Sequence, residues 1–161
     1  MGILPGEINF EGISGTTFDG NITVLPSAAF SLKWENDPVW ISTANYVANS
    51  GVLASNGKAY KSLQASVDKN PLTETAYWEV ITPQNITGYK AEVKIGNNFE
   101  LILKNGEGIT ISGSEGLVAF KATKVQTEIF DKSNVRFALF MEDTEANYYQ
   151  YVTGKVVWKL P

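Results

Sequence analysis

The sequence contains no cysteine and no histidine. Zinc sites built from thiolate or imidazole ligands are therefore excluded, as are catalytic systems in which a histidine activates a cysteine or serine. A disulfide framework is excluded for the same reason. We expect neither a metal nor a cofactor.

Long apolar runs and basic patches are also missing. No apolar run approaches the roughly 20 residues that a membrane-spanning helix needs, and residues 1–6 lack the charged and apolar regions of a signal peptide. We therefore expect a soluble protein that is made in the cytoplasm and does not insert into membranes. The net charge is −4, and lysines such as Lys90 and Lys94 are scattered along what we interpret as a solvated strand face. Because binding of phosphates needs a basic surface, nucleic acid is not an expected partner.

What the sequence has in abundance is residues that favour strands. Of its 161 residues, 43% are apolar and 12% are aromatic, so a sizeable core can form. Tyrosine, phenylalanine, tryptophan, threonine, valine and isoleucine fit a pleated, half-buried surface. The composition predicts an all-β fold.

Period-two alternation of apolar residues supports this prediction from residue 89 onwards. It predicts strands at residues 89–95, 135–141 and 148–160, and an earlier strand at residues 30–34. The one predicted helix covers residues 123–130, with Thr123 and Gln126 forming a capping box and with Val125 and Ile129 on one face.

The amino-acid composition changes between residues 35 and 83, where aromatic residues and residues typical of turns cluster. Asn56-Gly57 between two apolar segments predicts a type I′ hairpin. Removing this stretch leaves roughly 110 residues, close to the size of an immunoglobulin-like sandwich. We therefore predict such a sandwich from residues 1–34 and 84–161, interrupted by a small β-module at residues 35–83 whose ends lie close together.

The inserted stretch resembles a chitin-binding-type carbohydrate-binding module, a fold that recurs in phage tail proteins. The family pattern has an aromatic residue before a Gly-Val strand, a Gly-Lys-x-Tyr hairpin, a proline and a terminal tryptophan. The matching residues are Tyr46, Gly51-Val52, Gly57-Lys58, Tyr60, Pro71 and Trp78. Members of this family often carry exposed tryptophans just after the hairpin, where this chain has Gln64-Ala65-Ser66.

The flanking sequence is similar to immunoglobulin-like domains of phage tail and baseplate proteins. The similarity rests on the run from Asn85 to Val93 and on the glycine-led strands at Gly108, Gly116 and Gly154. Both resemblances imply a bacteriophage virion protein on the particle surface, in the tail or baseplate or as capsid decoration. They imply assembly with other virion proteins, in several identical copies, inside the host cytoplasm.

Two groups of aromatic residues are the candidate binding residues. Those of the inserted stretch are expected to contact a cell-surface glycan or a protein partner, with Tyr60 and Trp78 better suited to the core and Trp40 and Tyr77 to the surface. This group is Trp40, Tyr46, Tyr60, Tyr77 and Trp78. A second group, Tyr148, Tyr149 and Tyr151, is a candidate subunit interface, and a solvated edge strand is the competing interpretation.

The acidic residues do not form a catalytic pattern. Asp131, Glu142, Asp143 and Glu145 fall in polar loops, and their spacing matches no helix–loop calcium site. We therefore predict no catalytic residues and no enzymatic activity. The alternative to glycan adhesion is a purely structural spacer that binds no glycan.

Overall fold

The structure is a computed structural model that describes residues 6–130 and 134–160. Fourteen strands are assigned within these ranges, and the prediction of an all-β fold is confirmed. The strands are β1 (Gly6–Ile13), β2 (Phe18–Thr23), β3 (Lys33–Val39), β4 (Asn45–Tyr46), β5 (Ser50–Leu53), β6 (Ala59–Ser62), β7 (Ser66–Val67), β8 (Trp78–Val80), β9 (Lys90–Ile95), β10 (Leu101–Asn105), β11 (Gly108–Ser112), β12 (Leu117–Ala122), β13 (Asn134–Glu142) and β14 (Tyr148–Lys159).

The chain divides into two compact units. The larger one combines the residues up to Val24 with those from Gln84 onwards, and the smaller one is Leu25–Pro83. The Gln84 backbone N–H donates a hydrogen bond of 2.9 Å to the Val24 carbonyl. The two ends of the intervening segment are therefore adjacent, so this segment occupies the position of a loop between β2 and β9.

The larger unit is built on one curled sheet with the order β1-β14-β13-β9-β10-β11-β12-β2. Most neighbours are antiparallel; β1 runs parallel to β14, and β10 runs parallel to β11 over only two residue pairs. A tight turn joins the two edge strands, with the Thr16 N–H donating to the Ile13 carbonyl. The sheet is therefore sandwich-like and nearly closed.

Aromatic side chains fill the interior of this sheet. The Phe10 ring lies 5.7, 5.5 and 4.9 Å from the rings of Phe18, Phe120 and Phe137. Trp158 is fully buried and adds the largest side chain to this core. The alternation seen in the sequence corresponds to these inward positions, since successive strand residues point to opposite faces.

The helix prediction is correct in its start and wrong in its apolar face. Helix α1 (Lys124–Thr127) begins with the predicted capping box, in which Thr123 and Gln126 bond reciprocally at 2.8 and 3.3 Å. Val125 and Ile129 are 72% and 57% exposed. Thr127 is buried instead, and its hydroxyl donates to the Thr16 carbonyl at 2.6 Å.

The smaller unit contains a four-stranded sheet, β3-β5-β6-β8, and a two-stranded sheet, β4-β7. The prediction that residues 30–34 form a strand of the sandwich is wrong. Ser27–Ser31 forms a 3₁₀ turn, and β3 then pairs in parallel with β5 of the smaller unit. The smaller unit thus begins at Leu25 where the sequence suggested residue 35, and the sandwich strand before the insertion is β2.

The hairpin between β5 and β6 exists, but its turn is not of type I′. The first ladder pair is Leu53 with Ala59, and the Gly57 N–H donates to the Ala54 carbonyl. A type I′ turn requires positive φ at both central residues, whereas Gly57 has a φ of 78° and Asn56 is not in the left-handed region. The Ala54 N–H also donates to the Lys58 carbonyl at 3.0 Å, so the turn consists of the three residues 55–57 where a two-residue loop was expected.

None of the helices in the described ranges is long or apolar enough to cross a bilayer.

Candidate functional site

Two of the five candidate aromatic residues form the core of the smaller unit. Tyr46 and Trp78 are 8% and 3% exposed, and their rings meet edge to face at 5.2 Å. The Tyr46 hydroxyl accepts a hydrogen bond from the Ile41 N–H at 2.9 Å, and Trp78 Nε1 donates to the Lys69 carbonyl at 2.7 Å. Because both rings are buried and both the Tyr46 hydroxyl and Trp78 Nε1 are hydrogen-bonded within the unit, these residues stabilise the unit and are not available to a ligand.

The other three aromatic residues, Trp40, Tyr60 and Tyr77, are only partly buried and pack against that core. We call these three residues the ring surface. The Tyr60 hydroxyl accepts a hydrogen bond from Asn56 Nδ2 at 3.0 Å, and Lys69 Nζ lies 5.3 Å from the centre of the Tyr77 ring. All three rings offer apolar area, and the two tyrosines add a hydroxyl group at the ring edge, which suits contact with sugars or with protein. The Nε1 of Trp40 is itself buried and has no hydrogen-bond partner among the described residues.

Sequence reasoning missed a further aromatic residue of the same unit. Trp34 lies on β3 directly opposite Gly51 of β5, and a Cβ atom at Gly51 would come within 2.5 Å of the indole. Trp34 Nε1 donates to the Ala29 carbonyl at 2.8 Å, so the ring is fixed over the glycine. The signal was the glycine itself, because an isolated glycine in a strand often marks the close approach of another group.

Comparison of the chain with known proteins finds no matching family model and no matching curated protein. Its function is therefore inferred from its own side chains.

The predicted tyrosine interface is reduced to two residues. Tyr148 is 48% exposed and stacks on Phe140 at 5.4 Å, and Tyr149 is also exposed. Tyr151 belongs to the hydrophobic core of the larger unit. A register shift opposite Leu139 and Phe140 adds a residue to β14 at this point, so Tyr151 turns inward.

The placement of Glu142 in a loop is wrong, because it is the last residue of β13 and forms an ion pair with Lys90 at 3.3 Å; Asp143 and Glu145 lie in the turn that follows. The Asp143 carboxylate accepts hydrogen bonds from the Glu145 N–H and from both the backbone and the side chain of Asn147. The Asn147 side chain contributes most to lowering the pKa of Asp143 below its usual value. Burial raises the pKa of Tyr149, and the nearby Tyr89 and Asp143 raise it further. Within the described residues no three acidic side chains are grouped as metal ligands, and Asp131 lies outside those residues.

Proposed function

We propose that this chain is a structural protein of a bacteriophage particle that is displayed on the particle surface, has no enzymatic activity, and adheres weakly to glycans through the ring surface of its smaller unit. Many copies on one particle would multiply these weak contacts, because avidity replaces affinity when several sites engage together. The single observation that carries the proposal is the partial exposure of Trp40, Tyr60 and Tyr77 around a core formed by Tyr46 and Trp78.

The strand order of the larger unit supports an immunoglobulin-like assignment. If the sheet is divided at the two-residue junction of β10 and β11, one part reads β14-β13-β9-β10 and the other reads β11-β12-β2. These orders correspond to strands G-F-C-C′ and D-E-B of variable-type immunoglobulin domains. In this correspondence the smaller unit replaces the loop between strands B and C, one of the loops that immunoglobulin domains use for binding.

The smaller unit supports the carbohydrate-binding assignment because some of its aromatic residues are buried in the core and others are partly exposed. A unit of this size needs some of its rings for a core. Tyr46 and Trp78 supply them and form the core together with Val52, and the other three rings remain partly exposed. Sugar rings stack on exposed aromatic faces, and the hydroxyl groups of tyrosine add hydrogen-bonding capacity at the edge.

A pull-down with insoluble chitin tests the adhesive role. We expect wild-type protein to be retained, and Trp40→Ala and Tyr77→Ala each to reduce retention several-fold. Phe30→Ala is the matched control, because Phe30 is an exposed ring of the same unit outside the ring surface. Equal retention of all four proteins would remove the ring surface from the proposal.

The second candidate function is a spacer that binds no glycan, and one observation favours it. The segment that carries exposed tryptophans in the resembling family is here held by Gln64, whose side-chain amide donates to the Ala76 carbonyl at 3.1 Å. If wild-type protein is retained neither by chitin nor by a panel of host-surface glycans, we infer the spacer role and discard glycan adhesion. Gold-labelled antibodies against the chain, imaged on intact virions, test the placement on a phage particle in either case.

A further inference from the structure

Strand register brings two cations together on the outer face of the larger unit. Arg136 on β13 and Lys155 on β14 are directly opposite each other in the antiparallel ladder, and both are exposed. Their strand neighbours Val135, Phe137 and Val156 are buried, so the two charged side chains share the solvent face. Like charges in directly opposite positions destabilise a sheet, and neither cation forms an ion pair with a residue whose side chain the structure describes.

A third cation and a strained aromatic residue lie beside this pair. The Arg136 guanidinium carbon is 4.7 Å from the centre of the Phe99 ring, and Lys94 Nζ is 5.8 Å from the same centre. Phe99 has a φ of 53°, a left-handed conformation that is an outlier for a bulky residue. Phe99 closes the turn between β9 and β10, where its N–H donates to the Gly96 carbonyl at 3.1 Å, and this conformation sets the ring against which Arg136 packs.

Further rings extend this face towards the β13–β14 hairpin. Lys94 Nζ lies 4.7 Å from the centre of the Phe140 ring, and Phe140 stacks on Tyr148. The ion pair between Lys94 and Glu92 is long, at 4.0 Å. Lys94 is therefore only partly neutralised, which leaves two positive charges beside Phe99 and a third, on Lys155, opposite Arg136.

We propose that Lys94, Arg136 and Lys155, the first two of them packed against Phe99, form an anion-binding face that takes the carboxylate or sulfate groups of an acidic polysaccharide. Arginine presents a planar fork of donors that matches such oxyanions, and packing against an aromatic ring pre-organises it. An anion between Arg136 and Lys155 would relieve their mutual repulsion. This face uses only residues of the larger unit, so it does not depend on the ring surface.

The charges of this face favour an acidic polysaccharide over a nucleic acid and over a second copy of the chain. Glu92 and Glu142 lie on the same face, and the chain carries a net charge of −4. The phosphates of a nucleic-acid duplex, at about one charge per 1.7 Å of helix axis, would meet these carboxylates on a chain of the same overall sign. A second copy docking symmetrically over Arg136 and Lys155 would bring these like charges together, which electrostatics disfavours.

Affinity electrophoresis through gels that contain polygalacturonate, dextran sulfate or neutral dextran tests the proposal. We expect retardation by one or both acidic polymers, which tells carboxylate from sulfate recognition, and none by neutral dextran. Arg136→Gln and Lys155→Gln should each weaken binding about tenfold and lower the slope of log affinity against log salt by about one. The matched control is Lys121→Gln, an exposed lysine on β12 opposite Asp19, which should bind as wild type does.

The melting temperature tests the repulsion between Arg136 and Lys155 without any added polysaccharide. At low salt, Lys155→Gln should raise the melting temperature by about 1–3 °C, because it removes a like-charge pair. The proposal is overturned if wild-type protein migrates alike in all three gels, whatever Lys155→Gln does to the melting temperature. It is also overturned if Lys121→Gln weakens binding as much as Lys155→Gln does. Stronger binding to a single-stranded oligonucleotide than to either acidic polymer would overturn the assignment to polysaccharide.

Discussion

Replacing Trp78 with alanine should unfold the smaller unit and leave the larger unit folded. Truncation of a buried tryptophan costs about 3–5 kcal/mol, and Trp78 also loses the hydrogen bond from its Nε1 to the Lys69 carbonyl. A core in a unit of about sixty residues rarely supplies more than about 3–5 kcal/mol of stability. The substitution therefore removes most or all of the free energy of unfolding of Leu25–Pro83.

The larger unit should tolerate this loss. An unfolded smaller unit becomes a loop of about sixty residues, and closing it costs about 2 kcal/mol more than closing a five-residue loop. Domains of about one hundred residues are typically stable by about 5–15 kcal/mol. The core around Phe137 and Trp158 contains no residue of the smaller unit, so its packing is unchanged.

Hydrogen exchange followed by mass spectrometry separates the two units. In Trp78→Ala, peptides from Leu25–Pro83 should exchange at rates close to those of an unfolded chain, while peptides from β9 and β13 keep their protection. Tyr77→Ala is the control, because this ring is only partly buried and its loss should leave the smaller unit folded. If β9 and β13 lose protection together with the smaller unit, the two units form one cooperative body and the reasoning fails.

Three further perturbations test individual contacts. Gly51→Ala should destabilise the smaller unit by about 1–3 kcal/mol, because its Cβ would overlap the Trp34 indole, and an unchanged thermal midpoint would contradict this packing. Thr123→Ala should cost about 1 kcal/mol through loss of the helix cap, which urea unfolding measures and which an unaltered midpoint would refute. Asn147→Ala should raise the pKa of Asp143 towards its usual value in an NMR titration, because the side-chain amide is its main stabilising partner. Since that folded-state pKa is depressed, the stability that Asp143 contributes is present at neutral pH and is lost as the pH falls through it, and loss of the amide should weaken this dependence.

Strands β9, β13 and β14 of the larger unit could be predicted because their two faces differ. Val93 and Ile95 are fully buried, whereas Lys94 between them is partly exposed, so the period of the strand is visible in the sequence. The capping box was equally visible, because Thr123 and Gln126 interact within one turn. Both patterns are local, so they can be recognised in the sequence without knowing the order of the strands in the sheet.

The start of the smaller unit could not be predicted in the same way. Residues 30–34 alternate like a sandwich strand, but Trp34 pairs with Gly51, which is seventeen positions further along the chain. Alternation states that a strand has two faces and does not state which sheet it joins. The exposure of Val125 and Ile129 has a similar origin, because the hydrogen bond from Thr127 to the Thr16 carbonyl orients the helix, and that partner is 111 residues away.

The anion-binding face shows why a net charge and a list of lysines are weak guides to partners. In the sequence, Lys94, Arg136 and Lys155 are separated by 42 and 19 positions, and each one by itself suggests a solvated strand face. The antiparallel ladders of β9, β13 and β14 bring them onto one surface, and the left-handed backbone at Phe99 adds a ring that no periodic pattern announces. An acidic chain can thus carry a local cationic surface, and the long-range pairing of strands decides where that surface lies. If Lys155→Gln neither stabilises the protein nor changes its migration in an acidic gel, the opposed charges are already screened by solvent, and the cluster is a by-product of the register.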